Sequence, residues 1–294
     1  MKKTLKKILS TLLCLVIALS FTTVAAFAAE EKPFYLVLGD SIAYGSGLAN
    51  PTQACYGKIV ADTNGFEYVN QSVPGHTTTN LINVLSKDEV IENVAKADII
   101  SISIGGNDFL TNNLVGLMFD AIVKSDYSKF DAIAESFYGN FTTIIDKINE
   151  VNADAVILMQ TLYNPQSDLL RAPYQQGADR INAAIAKYDS EHPGEIVIVD
   201  VASALSDTMD NFAGDEIHPS AMGNEKIALA VNAKLAEIGM GTGNELVIET
   251  KGEDFKIPAS FGYMLDIMSM TFKALSVFYN LFNKLFGFVG NIFA

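Results

Sequence analysis

Five short, largely apolar runs, each followed by residues at helical spacing, alternate along the chain between residues 33 and 237. Strands that are apolar on both sides must be covered on both faces, which is typical of a parallel sheet. Between the runs, apolar residues recur at steps of three and four, as at Phe141, Ile144, Ile145 and Ile148. The pattern predicts an α/β fold: a single three-layer α/β/α domain over 33–237 with a five-stranded parallel sheet. The predicted strands are 34–38, 66–70, 99–104, 155–159 and 196–199.

The N-terminal segment is typical of a secretory leader. Four lysines within the first seven residues precede an uncharged run over 8–29, which contains Ala26-Phe27-Ala28. This predicts a signal peptide over 1–28 and therefore a secreted, extracellular protein. An uncleaved membrane anchor is the alternative, because the uncharged run is long enough to span a bilayer. Cleavage would leave Cys55 as the single cysteine, so that no internal disulfide could form.

The charge of the chain excludes one class of partner. It has 34 acidic and 20 basic residues, a formal net charge of −14. Without the four leader lysines the charge is −18, and Arg171 and Arg180 are the only arginines. Because such a surface repels phosphate backbones, we expect no binding to nucleic acid.

The last 57 residues differ in composition from the rest of the chain. Residues 238–256 are polar and rich in glycine, which predicts a linker. Residues 257–294 hold seven of the 18 phenylalanines and only three charges. Their polar and small residues recur at steps of three and four, which predicts an amphipathic helical tail. The tail could lie in a membrane interface or on a cell surface, pack on the domain or on another copy, or span a membrane.

Residues with chemical potential follow three of the predicted strands directly. Ser41 ends a Gly-Asp-Ser motif at the first strand, where a helix N-terminus favours the negative charge that develops around a nucleophile. Taken alone, it is more typical of a helix cap than of a nucleophile. Gly75 ends a Pro-Gly turn after the second strand, and Asn107 follows two glycines after the third. Ligands bind at the carboxyl ends of parallel strands, so these residues are expected to meet in one crevice. The long segment 111–140 that follows predicts a helical lid.

A fourth motif lies far downstream, before a helical run that starts at Ala221. Asp215 precedes His218 by three residues, which lets its carboxylate reach Nδ1 of the ring and leaves Nε2 for a hydroxyl group. Of the three histidines, His218 alone has an acid placed to orient it. The histidines lack the paired spacing of a zinc site, and no phosphate-binding loop is present, so no metal and no cofactor are expected.

The four motifs together resemble those of the SGNH/GDSL hydrolases, over roughly residues 34–237. They are Gly39-Asp40-Ser41, Gly75, Gly105-Gly106-Asn107-Asp108, and Asp215 with His218. The resemblance implies the flavodoxin-like SGNH hydrolase fold, with Ser41 as nucleophile, His218 as general base and Asp215 as its orienting acid. It also implies an oxyanion hole formed by the N–H of Ser41, the N–H of Gly75 and the side chain of Asn107.

What the resemblance implies about activity is a serine esterase or lipase that cleaves carboxylic acyl esters through an acyl-enzyme. The family includes enzymes for lipids and for acylated carbohydrates, so the substrate stays open within acyl esters. A non-catalytic surface or carbohydrate-binding module on the same fold is the alternative. A nucleotide-binding protein is disfavoured by the acidic charge and by the lack of basic residues near the first strand end. The G-x-S-x-G elbow of the α/β-hydrolases is absent around Ser41.

Overall fold

The computed structural model describes residues 32–111, 114–165, 171–256, 267 and 270–284. The chain divides into two units, Met1–Lys32 and Pro33–Ala294, and all described residues except Lys32 belong to the second. The predicted signal peptide and most of the tail outside 270–284 lie outside the described residues.

A five-stranded parallel sheet forms the centre of the domain, as the sequence predicts. Its strands are adjacent in the order β2-β1-β3-β4-β5, so that the chain moves outward from β1 in one direction and then in the other. Each predicted strand is found within one residue of its expected limits. The strands are β1 (Phe34–Gly39), β2 (Glu67–Asn70), β3 (Ile99–Ser103), β4 (Val156–Gln160) and β5 (Val197–Val199).

Helices connect the strands and cover both faces of the sheet. Two short elements interrupt the α-helices, a π-helical turn at Phe119–Lys124 and a 3₁₀ turn at Met209–Asn211. The α-helices are α1 (Ser41–Tyr44), α2 (Pro51–Ala54), α3 (Tyr56–Asn64), α4 (Thr78–Val84), α5 (Asp88–Lys96), α6 (Gly106–Leu110), α7 (Leu114–Met118), α8 (Ser128–Val151), α9 (Arg171–Glu191), α10 (Val201–Ala204), α11 (Ala221–Glu237) and α12 (270–284).

The two faces of the sheet are buried in two separate hydrophobic clusters. Leu36 and Leu38 of β1 point into one cluster, which includes the apolar stripe of α8. Tyr35 and Val37 point into the other, which includes residues of α3 and α11. Because alternate side chains of a strand point to opposite faces, a strand buried on both sides must be apolar at successive positions. This accounts for the continuous apolar run at 34–38 that the sequence shows.

The segment 111–140 contains α7, the π-helical turn and the first half of α8. Met118 and Val123 are buried there together with Phe272 of α12, in a small third cluster. Ser125, in the left-handed region at φ 56°, ends the π-helical turn. We call residues 114–124 the lid segment. The tail therefore packs on the domain in its described part, one of the arrangements that its sequence allows.

Residues 242–256, within the predicted linker, lie along the domain and bond to it; we call them the strap. Leu246 packs against the cluster that contains α3 and α11, and Leu48 and Asp254 form an antiparallel bridge. The N–H of Phe255 donates to the Gly47 carbonyl (2.9 Å). Composition alone indicates a linker here because glycine and polar residues are typical both of free linkers and of extended segments that bond through their backbone. Among the helices that the structure describes, none has the length and hydropathy needed to cross a membrane.

Candidate active site

The end of β1 places Ser41 at the edge of the sheet. Gly39 has φ 137° and lies so close to β3 that a Cβ atom there would be 2.0 Å from the Ser103 carbonyl oxygen. A side chain is therefore excluded by both backbone conformation and space. Asp40 follows as the cap of α1, its carboxylate accepting from the N–H of Ile42 (3.0 Å). Ser41 is the first residue of this helix.

A tight loop before α11 presents His218 on the other side of the cleft. One oxygen of Asp215 accepts from the N–H groups of Ile217 (3.0 Å) and His218 (2.9 Å). The turn leaves Glu216 in the left-handed region, at φ 58°. Tyr163, which follows β4, donates its hydroxyl to the Ile217 carbonyl (2.7 Å) and ties the loop to the sheet.

Ser41, His218 and Asp215 form a continuous chain of hydrogen bonds. The second oxygen of Asp215 is 2.5 Å from His218 Nδ1, and His218 Nε2 is 2.9 Å from Ser41 Oγ. Burial acts to raise the pKa of the Asp215 carboxyl, but the hydrogen bonds that it accepts from the His218 ring and from the N–H groups of His218 and Ile217 outweigh burial, and the pKa is lowered. An ionised carboxylate only accepts, so Nδ1 carries the proton of the neutral ring and Nε2 accepts from the Ser41 hydroxyl.

The three residues predicted to form the oxyanion hole line the same cleft. Gly75 has φ 82°, as the Pro-Gly turn predicts, and it lines the same cleft as Ser41 and Asn107. Within the described ranges, the backbone N–H groups of Ser41 and Gly75 donate to no protein atom. Asn107 Nδ2 donates to the His76 carbonyl (3.0 Å), which fixes the orientation of its amide. The amide has two N–H bonds, and the second remains available to a ligand.

A cleft of about 280 Å³ opens in front of these groups. Ser41, Asn107 and His218 line this cleft, whereas most of its walls are formed by apolar and aromatic side chains. These are Ile42, Leu110, Leu162, Tyr163, Tyr174, Val201 and Ile217. Such a site fits a ligand that has one polar reacting group and an apolar portion.

The GDSL-like lipase/acylhydrolase family model matches residues 37–226, which include Ser41, Asp215 and His218. The protein belongs to this family. It is therefore a GDSL-type hydrolase with the fold that the motifs imply. Over 227 residues it is 22% identical to the uncharacterised protein YpmR of Bacillus subtilis (strain 168), covering 72% of this chain and 84% of that protein.

Two solved structures show the same fold as this GDSL-type hydrolase. The lipase Lip_vut3 from a goat rumen metagenome has a TM-score of 0.56 and 21% identity, covering 72% of this chain and all of that one. The phospholipase A1 of Streptomyces albidoflavus NA297 has a TM-score of 0.54 and 18% identity, covering 69% of this chain and 99% of that one. At these identities the likeness shows a shared fold and nothing more.

Two features of this GDSL-type site were not anticipated from its sequence. Asp108 accepts from the N–H (3.1 Å) and the hydroxyl (2.5 Å) of Thr78, and so joins the loop after β3 to the start of α4. Together with the bond from Asn107 to His76, this holds the loop that carries Gly75. The sequence shows a Gly-Asn-Asp motif, but nothing local identifies Thr78 as the partner of its aspartate.

The second unanticipated feature is the protonation state of the Asp40 carboxyl. Burial raises the pKa of this carboxyl to about 7, and the hydrogen bond from the Ile42 N–H and the charge of His218 partly offset this rise.

Over the described ranges, no three His, Cys, Asp or Glu side chains are grouped as metal ligands would be.

Proposed function

We propose that this GDSL-type hydrolase is an exported serine esterase that cleaves carboxylic acyl esters through an acyl-enzyme. The observation that carries the proposal is the hydrogen-bonded chain from Asp215 through His218 to Ser41, at the mouth of an apolar cleft. This arrangement matches an activated nucleophile, a base and a group that orients the base. Export is inferred from the leader sequence over 1–28.

In the first half-reaction, Ser41 Oγ attacks the ester carbonyl carbon while His218 Nε2 takes the hydroxyl proton. The negative charge moves to the former carbonyl oxygen, which accepts from the N–H groups of Ser41 and Gly75 and from Asn107 Nδ2. Such fixed donors stabilise the charge more in the transition state than in the ground state. The C–O bond to the alcohol then breaks, and the alcohol leaves with the proton from His218.

In the second half-reaction, water attacks the acyl group on Ser41, and His218 takes one of its protons. The tetrahedral intermediate collapses, the bond between Ser41 Oγ and the acyl carbon breaks, and His218 returns the proton to Ser41. The carboxylic acid is released. Asp215 holds the ring in the required tautomer and stabilises its positive charge in both halves. The apolar walls support assigning the acyl portion to the cleft.

The test is hydrolysis of nitrophenyl esters, from acetyl to palmitoyl, by the protein and by Ser41→Ala. We expect the variant to lose at least about 10³-fold in kcat, because the nucleophile of the triad is removed. In parallel, covalent labelling of Ser41 by a fluorophosphonate is measured by mass spectrometry. Equal rates for both proteins would contradict the proposal. Folded protein that neither cleaves esters nor takes the label would favour the non-catalytic binding module.

A further inference from the structure

Helix α12 is attached to the lid segment by a narrow stripe. Phe272 is 7% exposed and packs against Met118 and Val123, and Tyr279, seven residues on, is partly buried in the same cluster. Residues seven apart lie on the same side of a helix. The contact side of α12 is therefore defined by these two aromatic side chains.

The opposite side of α12 is apolar and faces solvent. At 100° per residue, Val277, Phe278 and Leu281 lie about 120–180° around the helix from Phe272. Their exposures are 61% for Val277, 71% for Phe278 and 60% for Leu281. Contiguous apolar surfaces of this kind mark interaction sites. We call this surface the outward face of α12.

The contact side of α12 lies close to the rim of the candidate active site. The cluster that holds Phe272 also contacts Tyr174 and Ile217, and both of these residues line the catalytic cleft. Ile217 immediately precedes His218. A large apolar surface that binds the outward face would therefore lie about one helix diameter, roughly 10 Å, from the rim of the cleft.

The charges favour an anionic lipid surface as the occupant. Residues 270–284 contain Lys273 and Lys284 and no acidic residue, whereas the whole chain has a net charge of −14. Both lysines are exposed and lie at the edge of the apolar sector, where long stems can bury their methylenes and keep the ammonium at the headgroups. An anionic surface repels the acidic body and attracts this helix, which orients the molecule.

We propose that α12 and the lid segment form an interfacial docking surface that binds anionic lipid through the outward face of α12 and turns the cleft rim toward the lipid. Binding stands apart from catalysis. The corollary, that the substrates are acyl esters presented at such a surface, rests on the proposed function.

The experiment uses the chain from residue 29 onward, since Pro33–Ala294 is one compact unit. Ser41→Ala is included so that hydrolysis does not alter the lipid. Co-sedimentation is measured with vesicles of phosphatidylcholine alone and of an equimolar mixture with phosphatidylglycerol. Phe278→Ser combined with Leu281→Ser removes apolar area from the outward face. The matched control is Met222→Ser combined with Leu229→Ser, which changes two exposed apolar residues of α11.

We expect the outward-face variant to bind the mixed vesicles at least about tenfold more weakly, whereas the α11 control binds like the parent. Lys273→Gln and Lys284→Gln should each weaken binding to the mixed vesicles about fivefold, with less effect on neutral ones. Size-exclusion chromatography is run on the same proteins. Equal binding of parent and outward-face variant overturns the proposal, and so does a parent dimer that the variant abolishes in the absence of vesicle binding.

Activity assays then separate docking from function. The outward-face variant in the Ser41 background should cleave a soluble acetyl ester at the parent rate and lose about tenfold on an ester carried in mixed vesicles. Vesicle binding without cleavage of any ester would refute the proposed function and retain the docking surface. Cleavage of esters without vesicle binding would refute the docking surface and retain the proposed function.

Discussion

At the scale of single residues, Asp40 shows how the site is built at a cost to stability. The side chain is 3% exposed and lies beside the nucleophile, and burial raises its pKa to about 7 from 3.8. The native state therefore holds a proton between about pH 4 and pH 7 that the unfolded chain has released. The stability that protonation of Asp40 contributes is fully present below the unfolded pKa, and it is lost as the pH rises through the folded pKa.

Replacement of Asp40 tests this linkage. We expect Asp40→Asn to keep the acceptor for the Ile42 N–H and to remove the titration, so its stability relative to the parent should rise from pH 4 to pH 8. The difference at pH 8 is expected to reach up to about 4 kcal/mol. Urea unfolding at several pH values measures it. Asp146→Asn, at an exposed site on α8, is the matched control for the loss of one carboxylate, and the two variants are compared at each pH. A pH-independent difference for Asp40→Asn would contradict this account.

At the scale of elements, local sequence patterns predicted the sheet but did not predict the hydrogen bonds between residues far apart in the chain. The strands were predictable because burial on both faces leaves a continuous apolar run, as at 34–38. Ser41, Gly75 and Asn107 were predictable as neighbours because each follows a strand of one parallel sheet. The bond from Thr78 to Asp108 joins residues 30 apart, and that from Tyr163 to Ile217 joins residues 54 apart. Neither leaves a periodic signal in the sequence.

Helix α6 is expected to control the length of acyl chain that the cleft accepts. Its last residue, Leu110, lines both the cleft and a small apolar cavity of about 10 Å³ behind it. Phe109 and Phe130, with ring centroids 5.3 Å apart, line the cavity. Leu110→Ala would join the two spaces and provide room for additional methylenes.

We therefore expect Leu110→Ala to raise the ratio of kcat/KM for long over short nitrophenyl esters by about tenfold. Val201→Ala is the matched control, since it enlarges another wall of the cleft and does not border the cavity. An equal change of the ratio in both variants would assign the effect to cleft volume in general, and an unchanged ratio in Leu110→Ala would remove Leu110 as a determinant of chain length.

At the scale of the whole molecule, the strap joins the two segments that carry Ser41 and His218. The Ala49 N–H donates to the Glu253 carbonyl (2.7 Å) in the loop region that follows α1, on the chain downstream of Ser41. One residue further along the strap, Asp254 accepts from the N–H of Ala221 (2.7 Å), at the start of the helix that follows His218. A third bond links the strap to α3, from the Val247 N–H to the Thr63 hydroxyl (3.0 Å). The strap therefore stabilises the relative position of the two sides of the cleft.

Truncation distinguishes this role from that of a linker. A chain that ends at residue 256 keeps the strap but loses the packing of Phe272 against the lid segment, so we expect a small fall in its Tm and a rate on a soluble acetyl ester close to that of the full chain. A chain that ends at residue 241 also loses the bonds of the strap and the packing of Leu246, which together stabilise the fold by a few kcal/mol. Its Tm should lie about 5–10 °C below that of the chain ending at 256. Its rate should fall at temperatures well below that Tm, because Ser41 and His218 are held less closely. Calorimetry and ester hydrolysis measure both, and a chain ending at 241 that matches the chain ending at 256 would make residues 242–256 a linker, as their composition indicates.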